Sequence, residues 1–478
     1  HPQLLHRFAT QGLYLLMAAC GLLADYTAVF AAEASRPNLV IILADDLGWG
    51  DLGCCGHPLI KTPNIDRMAK EGTLFTQFYV NASVCSPSRC AFFTGQYPAR
   101  HKIHGHYATV EQNANRGMSQ FLDPEVPNVA RLLKSAGYAT AHIGKWHLGS
   151  NSGGPAPDAY GFDFVGSTER DGANGPAADP YYRANSSRLF VDEALKFIEQ
   201  HKAGPFYLQL WTLVPHATLR PTDEQLAAYP RGAGGKDFPH KSAGQIFSAS
   251  VTDLDTHIGR LLDGLKAHGV DNRTLILFSS DNGPEDIHIA NAGHSGVGSA
   301  GPFRGRKRSL YEGGIRVPGI VRWPGHVPAG KIDETTILSA VDFLPTVTRL
   351  AGVTVPNTHR LDGEAMNDVL LGTDRPRKTP LMWEWRFRIA GEPFHHSPQL
   401  AIRDGQWKLY LNPDGSRVEL YDLTTDLTQL NNVAEHHADV VAGLKDKVLA
   451  WSKELPPGPR DPGAGAMNFG YPGGRKAR

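Results

Sequence analysis

Continuous apolar runs of strand length alternate with amphipathic helical patterns along most of the chain. The run from Asn38 to Leu43 is apolar after its first residue, which is typical of a strand buried on both faces of a parallel sheet. The same pattern predicts strands at 139–145, 206–213 and 274–280, and helices at 63–72, 127–137, 189–200 and 245–268. In the last of these helices the apolar residues form one stripe: Val251, Leu254, Ile258, Leu261, Leu262 and Leu265. We therefore expect an α/β fold with a doubly wound, mostly parallel sheet flanked by helices.

The pattern changes after Leu371. Short strands are predicted at 400–403, 406–411 and 418–423, and the Asp404-Gly405 and Asn412-to-Gly415 stretches between them are typical of hairpin turns. A helix follows, with the apolar stripe Val440, Val441, Leu444, Val448 and Leu449. These boundaries predict a main domain over 35–370, a linker over 371–380, a smaller antiparallel α+β subdomain over 381–456 and a flexible tail over 457–478.

Residues 1–34 have the pattern of a signal peptide or N-terminal leader. A short basic region ends at Arg7, and the apolar run from Gly12 to Leu23 is too short to span a bilayer. The stretch 32–34, Ala-Glu-Ala, offers a cleavage site between small residues. A membrane tether and lipidation of Cys20 are alternatives. We expect an exported protein without a membrane span, in the periplasm, a lysosome-like lumen or the medium.

Charge and cysteine content exclude several classes of protein. The chain has 48 basic and 48 acidic residues among 478, which argues against nucleic acid or an anionic membrane as the main partner. Any preference for anions must therefore be local. Of the five cysteines, Cys54 and Cys55 are adjacent, and the sequence has no C-x-x-C pair. A disulfide scaffold or a zinc-thiolate site is not expected.

Two pairs of oxygen-bearing side chains directly follow predicted buried strands. They are Asp45-Asp46 and Asp281-Asn282. Ligands of doubly wound sheets bind outside the carboxyl ends of the strands, so the two pairs should converge there. A ligand set of three carboxylates and an amide suits Ca²⁺ better than Mg²⁺. It contains none of the histidine or thiolate donors expected for zinc. For each pair the alternative is a loop or capping role, and for Asp45-Asp46 alone that alternative is about as good.

Basic side chains occupy the same kind of position. Lys145 ends the second predicted strand, His147 lies two residues further on, and His216 follows the third strand. Lys307 lies five residues before Glu312 in a glycine-rich block that ends at Pro318. Taken singly, the lysines would be surface residues and the histidines ordinary polar residues.

The stretch Cys85-Ser86-Pro87-Ser88-Arg89 predicts a cysteine at a helix N-terminus. Ser86 can cap the helix, Pro87 fits its first turn, and Gly95 can end it. Unpaired backbone N–H groups and the macrodipole at such a position favour an anion and should lower the pKa of the thiol. The alternative is an ordinary buried or disulfide-bonded cysteine.

This C-x-P-x-R stretch resembles the signature of type I sulfatases, whose cysteine is oxidised to formylglycine by a maturation enzyme. The resemblance continues in separate blocks from Asn38 to about Pro318, and these blocks are similar to those of arylsulfatase A-like and N-acetylgalactosamine-6-sulfatase-like members. The block around Lys307 is similar to the one that holds the second active-site lysine of the family. The resemblance implies an alkaline-phosphatase-like core for the main domain.

The resemblance also implies a role for each candidate residue. Residue 85, as formylglycine, would hold Ca²⁺ together with Asp45, Asp46, Asp281 and Asn282. Its hydrated aldehyde would attack sulfur with help from Asp281, while Arg89 positions it. Sulfate oxygens would be bound by Lys145, His216 and Lys307. His216 or a lysine would protonate the leaving alcohol, and His147 would deprotonate the remaining hydroxyl so that sulfate is expelled.

The resemblance leaves the sulfated alcohol open, with a sulfated carbohydrate favoured over an aryl sulfate. Several loop residues either contact a sugar or have ordinary structural roles: His104, His106, His288, His294, Trp383, Trp385 and Arg386. One rival is a phosphate or phosphonate monoester hydrolase on the same core, for which two zinc ions and a serine or threonine nucleophile would be typical. Another is a non-catalytic protein that binds sulfated glycans and keeps Cys85 as a thiol. The sequence does not indicate the oligomeric state.

Overall fold

The computed structural model describes residues 36–149, 153–169, 179–229, 241–289 and 292–467. The predicted leader, 1–34, and the end of the predicted tail lie outside these residues. Among the residues described, no helix is both long enough and apolar enough to cross a membrane.

A large mixed sheet forms the centre of the molecule. Its strand order is β4-β3-β5-β1-β6-β7-β2-β8, and β9 pairs with β2. Strand β7 runs antiparallel to both neighbours, whereas the other pairs are parallel. The predicted mostly parallel sheet is thereby confirmed. The strands are β1 Asn38–Asp45, β2 Thr73–Tyr79, β3 Ala139–Gly144, β4 Phe164–Val165, β5 Phe206–Pro215, β6 Thr274–Ser280, β7 Arg316–Arg322, β8 Lys331–Asp333 and β9 Leu338–Ser339.

Helices cover both faces of this sheet, because successive residues of its central strand enter different apolar clusters. Leu39 and Ile41 pack with the helices at 85–94, 129–135 and 343–350, whereas Val40 and Ile42 pack with those at 63–70, 182–201 and 241–267. Period-two alternation of buried residues is what a two-faced core requires. The helices, in chain order, are α1 Pro63–Lys70, α2 Cys85–Thr94, α3 Val110–Asn115, α4 Val129–Ser135, α5 Tyr182–His201, α6 Asp223–Leu226, α7 Lys241–Ala267, α8 Glu312–Ile315, α9 Phe343–Leu350, α10 Asn367–Leu370 and α11 Ala438–Glu454.

Some elements differ from the prediction. Strands β2 and β7 were absent from it, because Thr76 and Gln77 interrupt the apolar run of β2 and arginines occupy both ends of β7. Helix α5 begins at Tyr182, ahead of the predicted start at 189, since its first turns carry few apolar residues.

A second, smaller sheet follows in the C-terminal part of the chain. It is antiparallel in the order β10-β11-β12-β13, with strands Leu381–Glu384, Leu400–Asp404, Trp407–Leu411 and Glu419–Asp422. Helix α11 buries Leu444, Val448 and Trp451, and the apolar residues of this sheet belong to the same cluster as α2. The small antiparallel sheet is confirmed.

The segments on either side of this subdomain make specific contacts. In the predicted linker, Arg377 donates two hydrogen bonds to the Asp342 carboxylate. In the described part of the predicted tail, Arg460 donates to Glu384, and the Asp461 N–H donates to the Arg386 carbonyl. The predicted linker, and the predicted tail as far as Asp461, therefore contact the folded chain through specific hydrogen bonds.

Candidate active site

The carboxyl ends of four neighbouring strands bring most of the predicted residues to one edge of the sheet. Strands β3, β5, β1 and β6 lie side by side. Asp45 is the last residue of β1, and Asp281 directly follows β6. Lys145 directly follows β3, and His216 directly follows β5. All four lie where the strands end, as doubly wound sheets require of their sites.

Asp46 adopts a left-handed backbone conformation, with φ of 67°. Asp45 and Asp46 would otherwise point to opposite faces of the strand, and this turn lets both carboxylates face the same point. The Asp46 N–H donates to Asp281 Oδ1 at 3.1 Å, and Asn282 Nδ2 donates to Asp46 Oδ1 at 2.7 Å. The two pairs of oxygen-bearing residues therefore form one buried cluster.

Cationic side chains contact this cluster directly. Lys145 Nζ lies 2.9 and 2.7 Å from the two carboxylate oxygens of Asp45, and Lys307 Nζ lies 2.7 Å from Asp46 Oδ2. Burial alone would raise the pKa of Asp45, but Lys145, His216 and Arg89 outweigh it and hold that pKa well below its usual range. The sequence expectation that both lysines reach the same site agrees with their placement.

Cys85 is the first residue of helix α2, as predicted, and its side chain is buried. The predicted cap is wrong: Val84 precedes the helix as its cap residue, and the Ser86 hydroxyl instead accepts the Tyr107 N–H at 3.0 Å. Gly95 ends the helix in a left-handed conformation, with φ of 68°.

The expectation of a lowered thiol pKa is also wrong. Burial raises the pKa of Cys85 to about 12, against the opposing effect of Lys145 and Lys307. Desolvation of the thiolate thus outweighs the helix terminus and both lysines. Residue 85 in its cysteine form is a neutral thiol.

Arg89 is fully buried, one turn along α2 from Cys85. Its guanidinium donates to Asp281 Oδ2 through Nε and Nη2, at 3.0 and 2.7 Å, and to the Lys145 carbonyl through Nη1 at 2.9 Å. Burial raises the pKa of Asp281 to about 6, aided by Asp45 and opposed by Arg89. Arg89 thus fixes Asp281 relative to the helix that carries Cys85.

The two histidines have different environments. His147 has φ of 51°, its Nε2 lies 3.1 Å from the Tyr107 carbonyl, and burial together with Lys145 lowers its pKa well below the usual value. His216 donates through Nδ1 to the Ala217 carbonyl at 2.7 Å, which leaves Nε2 as an acceptor 3.7 Å from Asp46 Oδ2. Burial lowers the pKa of His216 to about 4. Both rings are therefore neutral near pH 7.

A divalent cation fits this cluster. Potential ligand atoms of Asp45, Asp46, Cys85 and His216 lie within 4.8 Å of one another. Asn282 Oδ1 is buried and has no hydrogen-bond partner among the described residues, which leaves it available as an oxygen ligand. Strand β5 also brings His216 to this cluster from a distant part of the sequence, next to the two oxygen-bearing pairs.

The other candidate residues divide into packing residues and residues near a cavity. Trp383 is fully buried and donates Nε1 to the Val80 carbonyl at 2.7 Å, so it packs. His104 and Arg386 are buried and both contact Glu384 Oε1 at 2.8 Å. His288 contacts Asp286, and His294 lies in a short 3₁₀ helix. His106 and Trp385 line a cavity together with Arg116 and Arg308.

Sequence reasoning missed two acidic residues next to the site. Glu169 accepts the N–H groups of Trp146 and His147 at 2.9 and 3.3 Å, which holds the turn after β3. Glu285 pairs with Arg308 and lies 3.6 Å from Lys307 Nζ. Glu285 closely follows Asn282 and could have been found from that position, whereas no local signal marks Glu169.

Comparison with known proteins agrees with this geometry. The Sulfatase family model matches residues 37–353, and the model for the C-terminal region of N-sulphoglucosamine sulphohydrolase matches 301–454. N-acetylgalactosamine-6-sulfatase of Mus musculus is 36% identical over 460 residues, covering 89% of this chain and 80% of that protein. Arylsulfatase A of Homo sapiens is 33% identical over 426 residues, covering 80% and 76%.

A solved structure gives the same result. The crystal structure of Ps i-CgsB in complex with k-i-k-neocarrahexaose superimposes with a TM-score of 0.73 at 28% identity, covering 88% of this chain and 94% of that one. The family match spans both the strand-end residues and the helix that begins at Cys85. The chain therefore belongs to the sulfatase family and is a sulfuric ester hydrolase.

Proposed function

We propose that this sulfatase removes sulfate from a sulfated carbohydrate, using a formylglycine derived from Cys85 and a bound Ca²⁺. The observation that carries the proposal is the position of Cys85. It lies buried at the start of α2, and its potential ligand atom lies within 4.8 Å of those of Asp45, Asp46 and His216. A catalytic group made from this residue would therefore act beside the proposed metal ligands and close enough to Lys145 and Lys307 for both to affect it electrostatically.

The modified residue would supply an oxygen nucleophile together with an internal route for releasing sulfate, which a simple serine or cysteine ester lacks. Ca²⁺ would supply positive charge for the sulfate oxygens and for the oxygen of residue 85. Asp45, Asp46, Asp281 and Asn282 would hold the ion, since oxygen ligands suit Ca²⁺ better than zinc, with Mg²⁺ as the alternative. A formylglycine-generating maturation enzyme is then a required partner.

The cationic side chains would bind and orient the sulfate group. Lys145 and Lys307 form ion pairs with Asp45 and Asp46. When a bound cation neutralises these carboxylates, both lysines would be free to contact sulfate oxygens. Buried cations fixed before the reaction stabilise developing negative charge without reorganising. Arg89 would fix the position of Asp281 relative to residue 85, because it lies on the helix that begins at residue 85 and donates a hydrogen bond to Asp281.

Protons would be handled by Asp281 and the two histidines. Asp281 accepts a proton more readily than a surface aspartate, because burial raises its pKa to about 6. His216 Nε2 faces the cluster and would supply a proton to the leaving oxygen once a bound sulfate ester adds negative charge nearby. His147 Nδ1 is buried and has no partner among the described residues, so it can accept the proton whose removal precedes sulfate release.

Two related names support a carbohydrate substrate. One relative is named for a 6-sulfated N-acetylgalactosamine, and the matching crystal structure holds a neocarrahexaose. An aryl sulfate is the alternative within the same reaction. We also propose that the protein is exported and that residues 371–380 link two domains, as the sequence patterns of the leader and of the linker indicate.

Two other functions make different predictions. A phosphate or phosphonate monoester hydrolase on this core would prefer phosphoryl substrates. A protein that only binds sulfated glycans would release no sulfate. The experiment is a measurement of released sulfate and phosphate from a panel of sulfated mono- and oligosaccharides, an aryl sulfate and matched phosphate monoesters, with protein made beside the maturation enzyme. We expect sulfate release from at least one sulfated saccharide, and release of phosphate alone would overturn the proposal.

A further inference from the structure

A cavity of about 470 Å³ lies beside the candidate active site. Residues from the loop around 105–116, from the block after Lys307 and from the C-terminal part of the chain line it. We call it the arginine cavity, because its lining includes Arg116, Arg308, Arg388 and Arg460. Its volume lies within the range of small-molecule sites in proteins.

Two residues link the arginine cavity to the candidate active site. Arg308 lines the cavity and directly follows Lys307, and its N–H donates to the Ser83 carbonyl at 2.8 Å, close in sequence to Cys85. His106 also lines the cavity. Burial lowers the pKa of His106 to about 3, with added effects from Arg116, Lys307, Arg308 and Lys145. The His106 ring therefore lies near cations of both places: Lys307 and Lys145 of the candidate active site, and Arg116 and Arg308 of the cavity.

Three of the four arginines already have acidic neighbours. Arg308 Nη2 donates to Glu285 Oε2 at 3.0 Å, and Arg460 Nη2 donates to Glu384 Oε2 at 3.2 Å. Arg388 Nη2 lies 3.7 Å from Asp461 Oδ1, and its side chain is 64% exposed. These pairs reduce the capacity of the three arginines to bind an added anion.

Arg116 differs from the other three. Among the described residues, no carboxylate lies within ion-pair distance of its guanidinium, and its one hydrogen bond, at 3.3 Å, goes to the His106 carbonyl. The guanidinium lies over the Phe387 ring, 5.6 Å from the centroid, and Phe387 in turn packs edge-on against Trp385. Partial burial lowers the pKa of Arg116. Arg116 is thus a positioned cation with no carboxylate partner among the described residues, and it lines a cavity with an aromatic wall.

We propose that the arginine cavity binds a second anionic group, a sulfate or a carboxylate, on the sugar residue next to the one that carries the scissile sulfate, with Arg116 as its main ligand. The planar guanidinium suits both anions, because each presents two oxygens to its fork of N–H donors. Phe387 would pack against the sugar ring. This inference rests on the proposed function and names its substrate class: an oligosaccharide with anionic groups on adjacent residues.

The experiment compares three disaccharides with one backbone in equilibrium binding by titration calorimetry. One carries a single sulfate, the second carries a further sulfate on the neighbouring residue, and the third carries a carboxylate there. The protein has Cys85→Ala, so that no ligand is consumed. We expect at least one doubly anionic ligand to bind about tenfold or more tightly than the singly sulfated one, as charged hydrogen bonds predict. The stronger of the two identifies the second anion as sulfate or carboxylate.

Arg116→Gln should remove this preference, and Arg116→Lys should restore part of it. Arg360→Gln is the matched control, because Arg360 is 62% exposed, pairs with Glu454 and does not line the cavity. Thermal unfolding of each variant verifies that it is folded. Equal affinity for all three ligands, or an equal loss for all three in Arg116→Gln, would overturn the inference.

The same ligands separate this inference from the proposed function. If the mature protein releases sulfate but binds singly and doubly anionic ligands equally well, the proposed function is supported and the second anion site is contradicted. A preference in binding that depends on Arg116, without sulfate release from any substrate, would support the second anion site and contradict the proposed hydrolysis.

Discussion

Arg89 and Asp281 form a fully buried ion pair, in which Nε and Nη2 of the arginine both donate to Asp281 Oδ2, at 3.0 and 2.7 Å. The two residues come from helix α2 and from the end of strand β6. The pair therefore ties the helix that carries residue 85 to the carboxylates at the sheet edge.

Arg89→Gln should impair both folding stability and turnover. The substitution leaves the buried Asp281 carboxylate without its main counterion. Removing one partner of a buried ion pair lowers the free energy of unfolding by about 3–5 kcal/mol. Denaturant unfolding measures the stability, and sulfate release measures turnover. Arg188→Gln is the control, because Arg188 is 56% exposed and its pairing with Asp192 is a surface pair. Unchanged stability in Arg89→Gln would show that this pair does not hold the site together.

Asp45→Asn should abolish most turnover. It should also make the unfolding temperature nearly independent of bound metal. A strong chelator should lower the unfolding temperature of the unaltered protein, because bound metal stabilises only the folded state. The chelator should have a much smaller effect on Asp45→Asn. Asp374→Asn, at a carboxylate that is 77% exposed, is the matched control and should respond like the unaltered protein. Full activity after chelation, with no metal found by elemental analysis, would contradict the calcium proposal.

The two histidines should affect different halves of the reaction. His147→Ala should still release alcohol in a first turnover but should slow sulfate release by about 10²–10⁴-fold, the range for a lost acid–base group. His216→Ala should slow alcohol release instead, and least for aryl sulfates, whose phenolate leaves without a proton. Rapid-quench measurements of alcohol and sulfate separate the two steps. His326→Ala, at an exposed ring, is the control.

If both histidine variants slowed alcohol and sulfate release equally for alkyl and aryl substrates, this assignment of roles would be wrong. The sulfatase assignment itself would remain, because it depends on the family match.

Sequence patterns predicted the parts of this fold that depend on local periodicity. The predicted strand at 274–280 has the same bounds as β6, because it is a continuous apolar run that ends at a polar pair. Strand β7 was not predicted, because a strand with arginines at both ends looks exposed in the sequence. In the structure Arg316 and Arg322 are buried and donate hydrogen bonds to the Thr76 carbonyl and to Asp271. Such pairings depend on tertiary structure and leave no trace in local sequence.

The candidate site shows the same division. Its residues could be named in advance because they follow strands or match family motifs. The raised pKa of Cys85 could not be predicted from the sequence. Burial raises this pKa, and burial at the site depends on the whole fold. Glu169 was missed for a related reason, since its contact with the turn at Trp146 spans 23 residues and forms only when β3 and the segment after it have folded together.

Glu312 should make stability depend on pH in the acid range. Burial would raise its pKa, but Lys408, Arg403 and Arg316 outweigh it and lower the pKa from 4.5 to about 2. A depressed folded-state pKa stabilises the protein above the unfolded value, and this contribution is lost as pH falls from about 4.5 towards 2. The shift corresponds to about 3 kcal/mol at neutral pH.

Denaturant unfolding of Glu312→Gln and the unaltered protein, at pH 6 and at pH 3, measures this contribution. The variant should be markedly less stable at pH 6, because Lys408 is left buried without its carboxylate partner at 3.1 Å. The difference should narrow at pH 3. A difference that is the same at both pH values would show that Glu312 does not titrate as proposed.

In the proposed reaction residue 85 acts as formylglycine and not as cysteine. The most direct test is mass spectrometry of the peptide that contains residue 85, from protein made with and without the maturation enzyme, alongside the rate of sulfate release from each sample. The account predicts that sulfate release rises in proportion to the fraction of peptide in which an aldehyde has replaced the thiol, and that Cys85→Ala has neither. Full sulfate release from protein whose residue 85 is entirely unmodified cysteine would contradict it.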